Sequence, residues 1–138
     1  MNSLSGTDII SRFESSGRIK GRYEKSVPIG AVFRVKKEKT ELNASVASIR
    51  PVDATCAAED GSFWLLMAQS ELAFSVVGEL QAYFNLYREE HAHDKPPRMG
   101  IVCEKINDQV AWLCSKLGID VFQLTDQSAE RIEARLLR

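Results

Sequence analysis

The middle of the chain contains the stretch Asp60-Gly61-Ser62-Phe63-Trp64-Leu65-Leu66-Met67-Ala68-Gln69-Ser70-Glu71. Its Asp-Gly pair favours a tight turn, because glycine adopts positive φ without steric strain. The apolar run that follows is too short for a typical helix and is bracketed by turn and polar residues. We therefore predict a turn at residues 59–61 and a central strand at residues 62–68.

A long helix is predicted directly after this strand. Between Glu71 and Glu90, apolar residues recur at three- and four-residue steps, which is the pattern of an amphipathic helix. These residues are Phe74, Val77, Leu80, Phe84 and Tyr87. In such a strand-then-helix unit, functional side chains collect where the strand ends, and here they are Met67, Gln69 and Glu71.

The other segments alternate between helix and strand signals. Before the central strand we predict a helix ending at Gly17, a basic connector at 18–26, a strand at 31–35, a polar turn at 36–41 and a strand region at 45–58 that Pro51 interrupts. After the long helix we predict a loop at 91–98, a strand at 99–103, a helix from its cap Asn107 to Gly118, a strand at 119–124 and a last helix towards Leu137.

This element order, αβββαβαβα, predicts an α/β fold in which a mixed β-sheet is flanked by helices on both faces. The strands at 99–103 and 119–124 are expected to be parallel, because a helix connects them. Residues 1–6 are expected to form a flexible N-terminus and residues 7–138 a single domain.

Composition narrows the class of protein. The three cysteines, Cys56, Cys103 and Cys114, are odd in number, lie in apolar runs and form no CxxC pair, which argues against a disulfide scaffold, a zinc site and a cysteine-dependent hydrolase. No apolar run approaches about 18 residues, and the N-terminus lacks a signal-peptide pattern. We therefore expect a soluble cytoplasmic protein without a membrane partner.

Charge is unevenly distributed along the chain. Residues 12–39 contain nine Lys or Arg against three acids, although the net charge of the whole chain is −1. Such asymmetry can mark a surface that binds a polyanion, but a solvated hairpin whose charge is offset by the rest of the surface is the simpler explanation. The candidate nucleic-acid-binding residues are Arg18, Lys20, Arg22, Lys25, Arg34, Lys36, Lys37 and Lys39.

Several segments, taken in order, resemble the restriction-endonuclease-like PD-(D/E)xK superfamily and its RecB-like nuclease core. The resemblance runs through Pro51-Val52-Asp53, the turn Glu59-Asp60-Gly61, the apolar strand and the helix motif Val77-Gly78-Glu79-Leu80-Gln81-Ala82-Tyr83. It continues through Gly100-Ile101-Val102 and the segment 117–124. The resemblance covers roughly residues 7–124 and implies a restriction-endonuclease-like fold.

In that family, an aspartate and an acid placed two residues before a lysine hold Mg²⁺ and act on the scissile phosphate. The resemblance places the aspartate at Asp53, the acid at Met67 and the lysine at Gln69. The motif is degenerate, because a thioether and a neutral amide supply no charge. If a relocated site exists, its candidate catalytic residues are Asp53, Glu71, Gln69, Glu79 and Glu14, with Asp53 and Glu71 as the metal ligands.

These residues also have structural explanations. Glu71 can belong to the first turn of the long helix, Glu79 can be a solvated helix residue, and Asp53 can pair with a nearby Arg or Lys. We therefore predict a catalytically degenerate nuclease-like domain that acts as a DNA-binding or assembly module without a cofactor. The alternatives are an active Mg²⁺-dependent DNA endonuclease and a protein-interaction domain, for example a homodimer, with no nucleic-acid role.

Overall fold

A single six-stranded sheet organises the computed structural model, which describes residues 6–29, 36–37, 40–41, 50–126 and 128–137. Its strands are β1 (Gly21–Val27), β4 (Val52–Ala58), β5 (Phe63–Glu71), β6 (Arg98–Lys105), β7 (Ile119–Leu124) and β8 (Ala129–Ile132), in that spatial order. Two further short strands, β2 (Lys36–Lys37) and β3 (Thr40–Glu41), pair only with each other. The helices are α1 (Gly6–Ser16), α2 (Phe74–Glu90) and α3 (Asp108–Lys116).

Strand β5 lies in the middle of the sheet, which confirms the predicted central strand. It pairs antiparallel with β4 and parallel with β6. Strands β6 and β7 are parallel, as predicted from the helix that joins them. Strand β5 extends to Glu71, three residues past its predicted end, and α2 accordingly begins at Phe74 rather than at Glu71.

The helices cover both faces of the sheet, as predicted. Helix α1 buries Ile9, Ile10 and Phe13 against one face, where the Phe13 and Phe122 rings lie 5.0 Å apart. Helices α2 and α3 cover the other face through a core of side chains that includes Leu80. The predicted cap of α3 is also confirmed, because the Asn107 side chain accepts a hydrogen bond from Val110 N. The architecture is a mixed α/β sheet between two helical layers.

The predicted basic connector at 18–26 is wrong, because residues 21–27 form the edge strand β1. Only Tyr23 and Val27 of this strand are partly buried, so the segment lacks the alternation that would have indicated a strand. Its pairing with β4 depends on Gly21, where a Cβ atom would lie 2.3 Å from the Ala57 carbonyl oxygen. Charged residues are common on edge strands because one side faces water.

The predicted C-terminal helix is also wrong, because residues 129–132 form β8. The segment contains good helix formers, and Ile132 and Leu136 have helical spacing. Pairing with β7 overrides this local preference, and a tight turn in which Thr125 N–H donates to Ser128 O at 2.8 Å joins the two strands. The element order therefore ends in strands rather than in a helix.

Residues 28–51 separate β1 from β4 along the chain, although the two strands are neighbours in the sheet. Val27 pairs directly with Val52, so the chain leaves the sheet and returns to it at the same place. The strand predicted at 31–35 and the first part of the strand region at 45–58 lie outside the described residues. Within the described part of the chain, no helix is long and apolar enough to span a membrane.

Candidate functional site

Asp53 lies where β4 and β5 stop pairing. The last paired residues of this ladder are Ala54 and Leu66, so Asp53 and Met67 occupy the next position on each strand. Instead of a strand carbonyl, the Asp53 side chain takes the next hydrogen bond: its Oδ2 accepts from Ala68 N at 2.8 Å. The first residue of α1 also lies close, since a Cβ atom at Gly6 would be 3.1 Å from Asp53 Oδ1. The carboxylate is thus held at the opening between the two strands.

Arg50 links Asp53 to α2. One guanidinium nitrogen lies 3.6 Å from Asp53 Oδ1, and Nε lies 2.6 Å from Glu79 Oε2. Its backbone is fixed as well, because Tyr83 OH donates to Arg50 O at 2.5 Å. The predicted pairing of Asp53 with a nearby cation is therefore confirmed. Glu79 is an ion-pair partner rather than a freely solvated helix residue.

Burial dominates the electrostatics of Asp53. Only 14% of its side chain is exposed, and this desolvation raises the pKa of the carboxyl above its ordinary value. The nearby Glu79 carboxylate also raises the pKa, whereas the Ala68 N–H and the Arg50 guanidinium lower it. The largest effect is burial, so Asp53 binds a proton more readily than a solvated aspartate.

Met67 and Gln69 are the residues to which the sequence resemblance assigns the acid and the lysine of the nuclease motif. Met67 is fully buried, and it packs in the core that faces α2 and α3. Gln69 points to the same face two residues later and pairs in register with Cys103 of β6. Its Oε1 atom is buried, and no described group donates a hydrogen bond to it.

The other candidate carboxylates lie apart from Asp53. Glu71 is exposed at the end of β5, opposite Lys105. Glu14 lies eight residues after Gly6 on α1, a rise of about 12 Å along a helix, and its carboxylate is 3.8 Å from Lys25 Nζ. Of the four candidate acids, the structure therefore brings Asp53 and Glu79 together, and it does so through Arg50.

The described residues do not fit a Mg²⁺ site of the kind that the family resemblance implies. Magnesium needs several hard oxygen ligands, whereas Met67 provides a thioether and Asp53 already faces an N–H group and a guanidinium. Among the described residues, no three carboxylate, histidine or cysteine side chains converge on one point. We derive no metal-dependent step from this arrangement.

The predicted basic surface is only partly described. Arg34 and Lys39 lie outside the described residues, and for Lys36 and Lys37 the structure describes the strand β2 but not the side chains. Arg22 is exposed, and Lys25 lies on the opposite face of β1, where its Nζ is 2.7 Å from Ser11 Oγ. The strand part of the predicted set therefore does not form one continuous face.

Arg18 and Lys20 differ from these residues. Both are exposed, and neither side chain forms an ion pair with any described residue. They line a cavity of about 350 Å³ next to Trp64. The Arg98 guanidinium stacks over the Trp64 ring, with its central carbon 4.3 Å from the ring centre. Three acids also line this cavity: Asp120, which forms ion pairs with both Arg98 and Arg131, and Glu59 and Asp60. Arg18 and Lys20 are thus its unpaired cations.

Sequence reasoning missed two residues that build the site. Arg50 was not among the candidate residues, although its position three residues before Asp53 was a usable signal for an ion pair. Tyr83 was recognised only as part of a helix motif, and its hydroxyl proves to anchor Arg50. No sequence pattern predicts the hydrogen bond between Tyr83 and Arg50, because the two residues are 33 positions apart.

The sheet and its helices define the class of fold. The antiparallel β1-β4-β5 meander, the parallel β5-β6-β7 part, and α1 and α2 on opposite faces form a restriction-endonuclease-like fold. The resemblance inferred from the sequence is confirmed at the level of the fold.

Solved structures of EndoMS share this fold. A complex of EndoMS with dsDNA matches with a TM-score of 0.54 and 20% identity over 90% of this chain and 46% of that chain. The apo form of EndoMS gives 0.51 and 21% over 90% and 48%. A repair endonuclease from Pyrococcus abyssi gives 0.47 and 20% over 73% and 39%. The chain spans less than half the length of the EndoMS chains, and its sequence matches no protein-family model and no curated protein.

Proposed function

We propose that this chain is a catalytically degenerate nuclease-like domain that binds DNA without cutting it. The observation that carries the proposal is the engagement of Asp53 by Ala68 N–H and Arg50, next to the uncharged Met67 and Gln69. An arrangement without a free second carboxylate and without a lysine cannot activate water on a phosphodiester in the way that the family does. The fold remains able to bind a nucleic acid.

We assign the first phosphate contacts to Arg18 and Lys20. They are exposed cations without an ion-pair partner among the described residues, so no intramolecular contact has to break when a phosphate binds. Contacts of this kind bind the backbone and do not read sequence. EndoMS, which shares the fold, has been solved with double-stranded DNA bound.

The salt dependence of DNA binding tests this proposal. The slope of log K against log salt should be negative for a short duplex, and Arg18→Ala with Lys20→Ala should make it shallower by about 2, because each phosphate contact contributes about 0.9 to it. The matched control is Arg88→Ala with Lys95→Ala, which removes the same charge from exposed residues elsewhere. Binding that does not change between about 50 and 200 mM salt would overturn the DNA role.

An active Mg²⁺-dependent endonuclease with relocated carboxylates is the second candidate, since Asp53 and Glu79 lie on the same guanidinium. Incubation of the protein with supercoiled, linear and single-stranded DNA in Mg²⁺ or Mn²⁺ separates the two candidates. Degeneracy predicts no cleavage of any substrate. Cleavage by the wild type that is lost in Asp53→Ala would overturn the proposal of a degenerate domain and support the active endonuclease.

An assembly role is a further part of the proposal, and an exposed apolar surface supports it. Phe74, Leu136 and Leu137 are the large hydrophobic residues that are exposed in the described part of the chain, and all three line one cavity of about 850 Å³. Apolar surface of this kind marks interaction sites. We also propose that residues 7–138 form one domain in the cytoplasm, in keeping with three free buried thiols.

A further inference from the structure

We propose that β8 is a pairing edge through which two copies of this chain join their sheets in a symmetric dimer. This inference deepens the assembly role proposed above and does not depend on DNA binding. Strand β8 is the last strand of the six-stranded sheet, and among the residues that the structure describes it pairs on one side only, with β7. An unpaired strand edge carries N–H and C=O groups that another strand can bond.

The hairpin between β7 and β8 shows which groups face outward. Thr125 and Ser128 are opposite each other and are hydrogen bonded, since Thr125 N–H donates to Ser128 O at 2.8 Å. In an antiparallel pair, hydrogen-bonded and non-hydrogen-bonded positions alternate. Glu130 and Ile132 therefore direct their backbone groups towards β7. Arg131 directs its backbone groups to the free edge, and Glu133 does the same when the strand is extended by one residue.

Charge selects one register for a symmetric antiparallel pair. A two-fold axis at Arg131 would place two arginines opposite each other, and an axis at Glu130 or Glu133 would place two glutamates opposite each other. An axis at Ile132 places Arg131 of each copy opposite Glu133 of the other. Opposite charges at facing positions stabilise a strand pair and like charges destabilise it. Among two-fold axes within β8, the one at Ile132 is therefore the one that places opposite charges face to face.

The two faces of the sheet agree with this register. Arg131 lies on the α1 face, with its Nε 3.4 Å from Asp120 Oδ1 and one terminal nitrogen 3.1 Å from Glu133 Oε1. Two copies would thus place Arg131 of each copy between Asp120 of its own chain and Glu133 of the other. On the other face, Ile132 lies beside the apolar cavity that Phe74 and Trp112 line.

Apolar burial favours β8 over the other edge of the sheet. With the axis at Ile132, the α3 helices of both copies lie on the same side, and the two β7 strands are about 14 Å apart. The apolar cavities meet in that space, where Leu136 is 64% exposed in the single chain. Strand β1, the opposite edge, carries charged residues and contains Ser26 at φ 52, which disturbs a regular ladder.

A cysteine at the two-fold axis tests the register directly. The residue at the axis forms a non-hydrogen-bonded pair with its own copy, with Cα atoms about 4.5 Å apart, within the range of a disulfide. Ile132→Cys should therefore give a covalent dimer of the full chain under mild oxidation. The native thiols do not interfere, because Cys56, Cys103 and Cys114 are buried.

Glu130→Cys is the matched control. In the proposed register the two substituted positions are four residues out of line, about 13 Å along the strand, so the two sulfurs cannot bond. A dimer from Ile132→Cys with none from Glu130→Cys supports the proposal. No dimer from Ile132→Cys, or equal yields from both variants, overturns it.

Charge exchange gives a second, non-covalent test by sedimentation. Glu133→Arg should weaken the dimer about tenfold, because it turns both facing pairs into like charges. The double variant Arg131→Glu with Glu133→Arg should recover most of that loss. Glu133 follows β8 and is exposed, so the single variant should keep its fold. A double variant that remains as weak as the single one would overturn the register.

DNA binding separates failure of this inference from failure of the DNA role. A monomer that still binds DNA with a steep salt slope overturns the dimer alone. A dimer that binds no DNA overturns the DNA role alone and supports the assembly role.

Discussion

The backbone N–H of Ala68 donates a 2.8 Å hydrogen bond to Oδ2 of Asp53, across the opening where β4 and β5 cease to pair. The Asp53 carboxylate thus accepts a hydrogen bond that a backbone carbonyl would accept in a continued ladder. It adds one hydrogen bond to the pairing of β4 with β5. This explains why an aspartate is useful here even when no metal is bound. It also makes the role of Asp53 measurable as stability.

Replacing Asp53 should destabilise the fold in a graded way. Asp53→Ala leaves the Ala68 N–H without its acceptor, which costs about 1–3 kcal/mol for a buried donor. Asp53→Asn keeps an oxygen acceptor, so its loss in the free energy of unfolding should be clearly smaller. Urea denaturation of both variants at neutral pH measures the difference. Equal losses would show that the charge, and not the acceptor, stabilises this opening.

The raised pKa of Asp53 predicts a pH dependence of stability. Burial is the main cause of the shift, and the unfolded carboxyl should titrate near its ordinary pKa of about 3.9. Between the two pKa values the folded state binds more protons than the unfolded state, so stability falls as pH rises. The favourable contribution is fully present below the unfolded pKa and is lost as pH rises through the folded one.

The difference in unfolding free energy between the wild type and Asp53→Asn isolates this effect, because all other groups titrate in both proteins. We expect the wild type to lose stability relative to the variant as pH rises from about 3.5 towards neutrality. A relative gain over the same interval would mean that Arg50 and the Ala68 N–H outweigh burial.

Removing the amide of Gln69 should stabilise the protein. Its buried Oε1 accepts no hydrogen bond from any described group, and an unsatisfied buried polar atom costs free energy. Gln69→Leu has a similar volume and should raise the free energy of unfolding by about 1 kcal/mol. Gln123→Leu is the control, because Gln123 Nε2 donates to Glu104 O and its loss should destabilise. A destabilised Gln69→Leu variant would mean that the amide has a partner.

Restoring the family motif should create a response to magnesium. In Met67→Glu with Gln69→Lys, a second carboxylate would lie next to Asp53, at a position that is fully buried in the wild type. Mg²⁺ would relieve the cost of that buried charge, so we expect it to raise the melting temperature of the variant by about 4 °C or more. The wild type should show no shift.

The control for this restoration is Met67→Gln with Gln69→Lys, which adds the lysine but no carboxylate. It should show no shift with Mg²⁺. A magnesium response in the wild type of the same size would contradict the degeneracy of the site.

The sequence predicted the parts of the fold that local patterns determine. The apolar run before Gln69 has the length of a buried strand, and Asn107 caps a helix through its own side chain, so both were correctly predicted. Strand β8 was missed because its residues favour a helix and only pairing with β7 makes them a strand. The ion pair between Arg50 and Glu79 escaped prediction because the residues are 29 positions apart.

Val27 and Val52 lie side by side on neighbouring strands, so the chain leaves the sheet and returns to it at this one pair of residues. Ile29 packs in the core just beyond the exit, and Arg50 is bonded just before the return, which leaves both flanks anchored. A reporter peptide inserted between Ile29 and Arg50 would leave the sheet and return to it at the same pair of residues, so it should not disturb the pairing of β1 with β4.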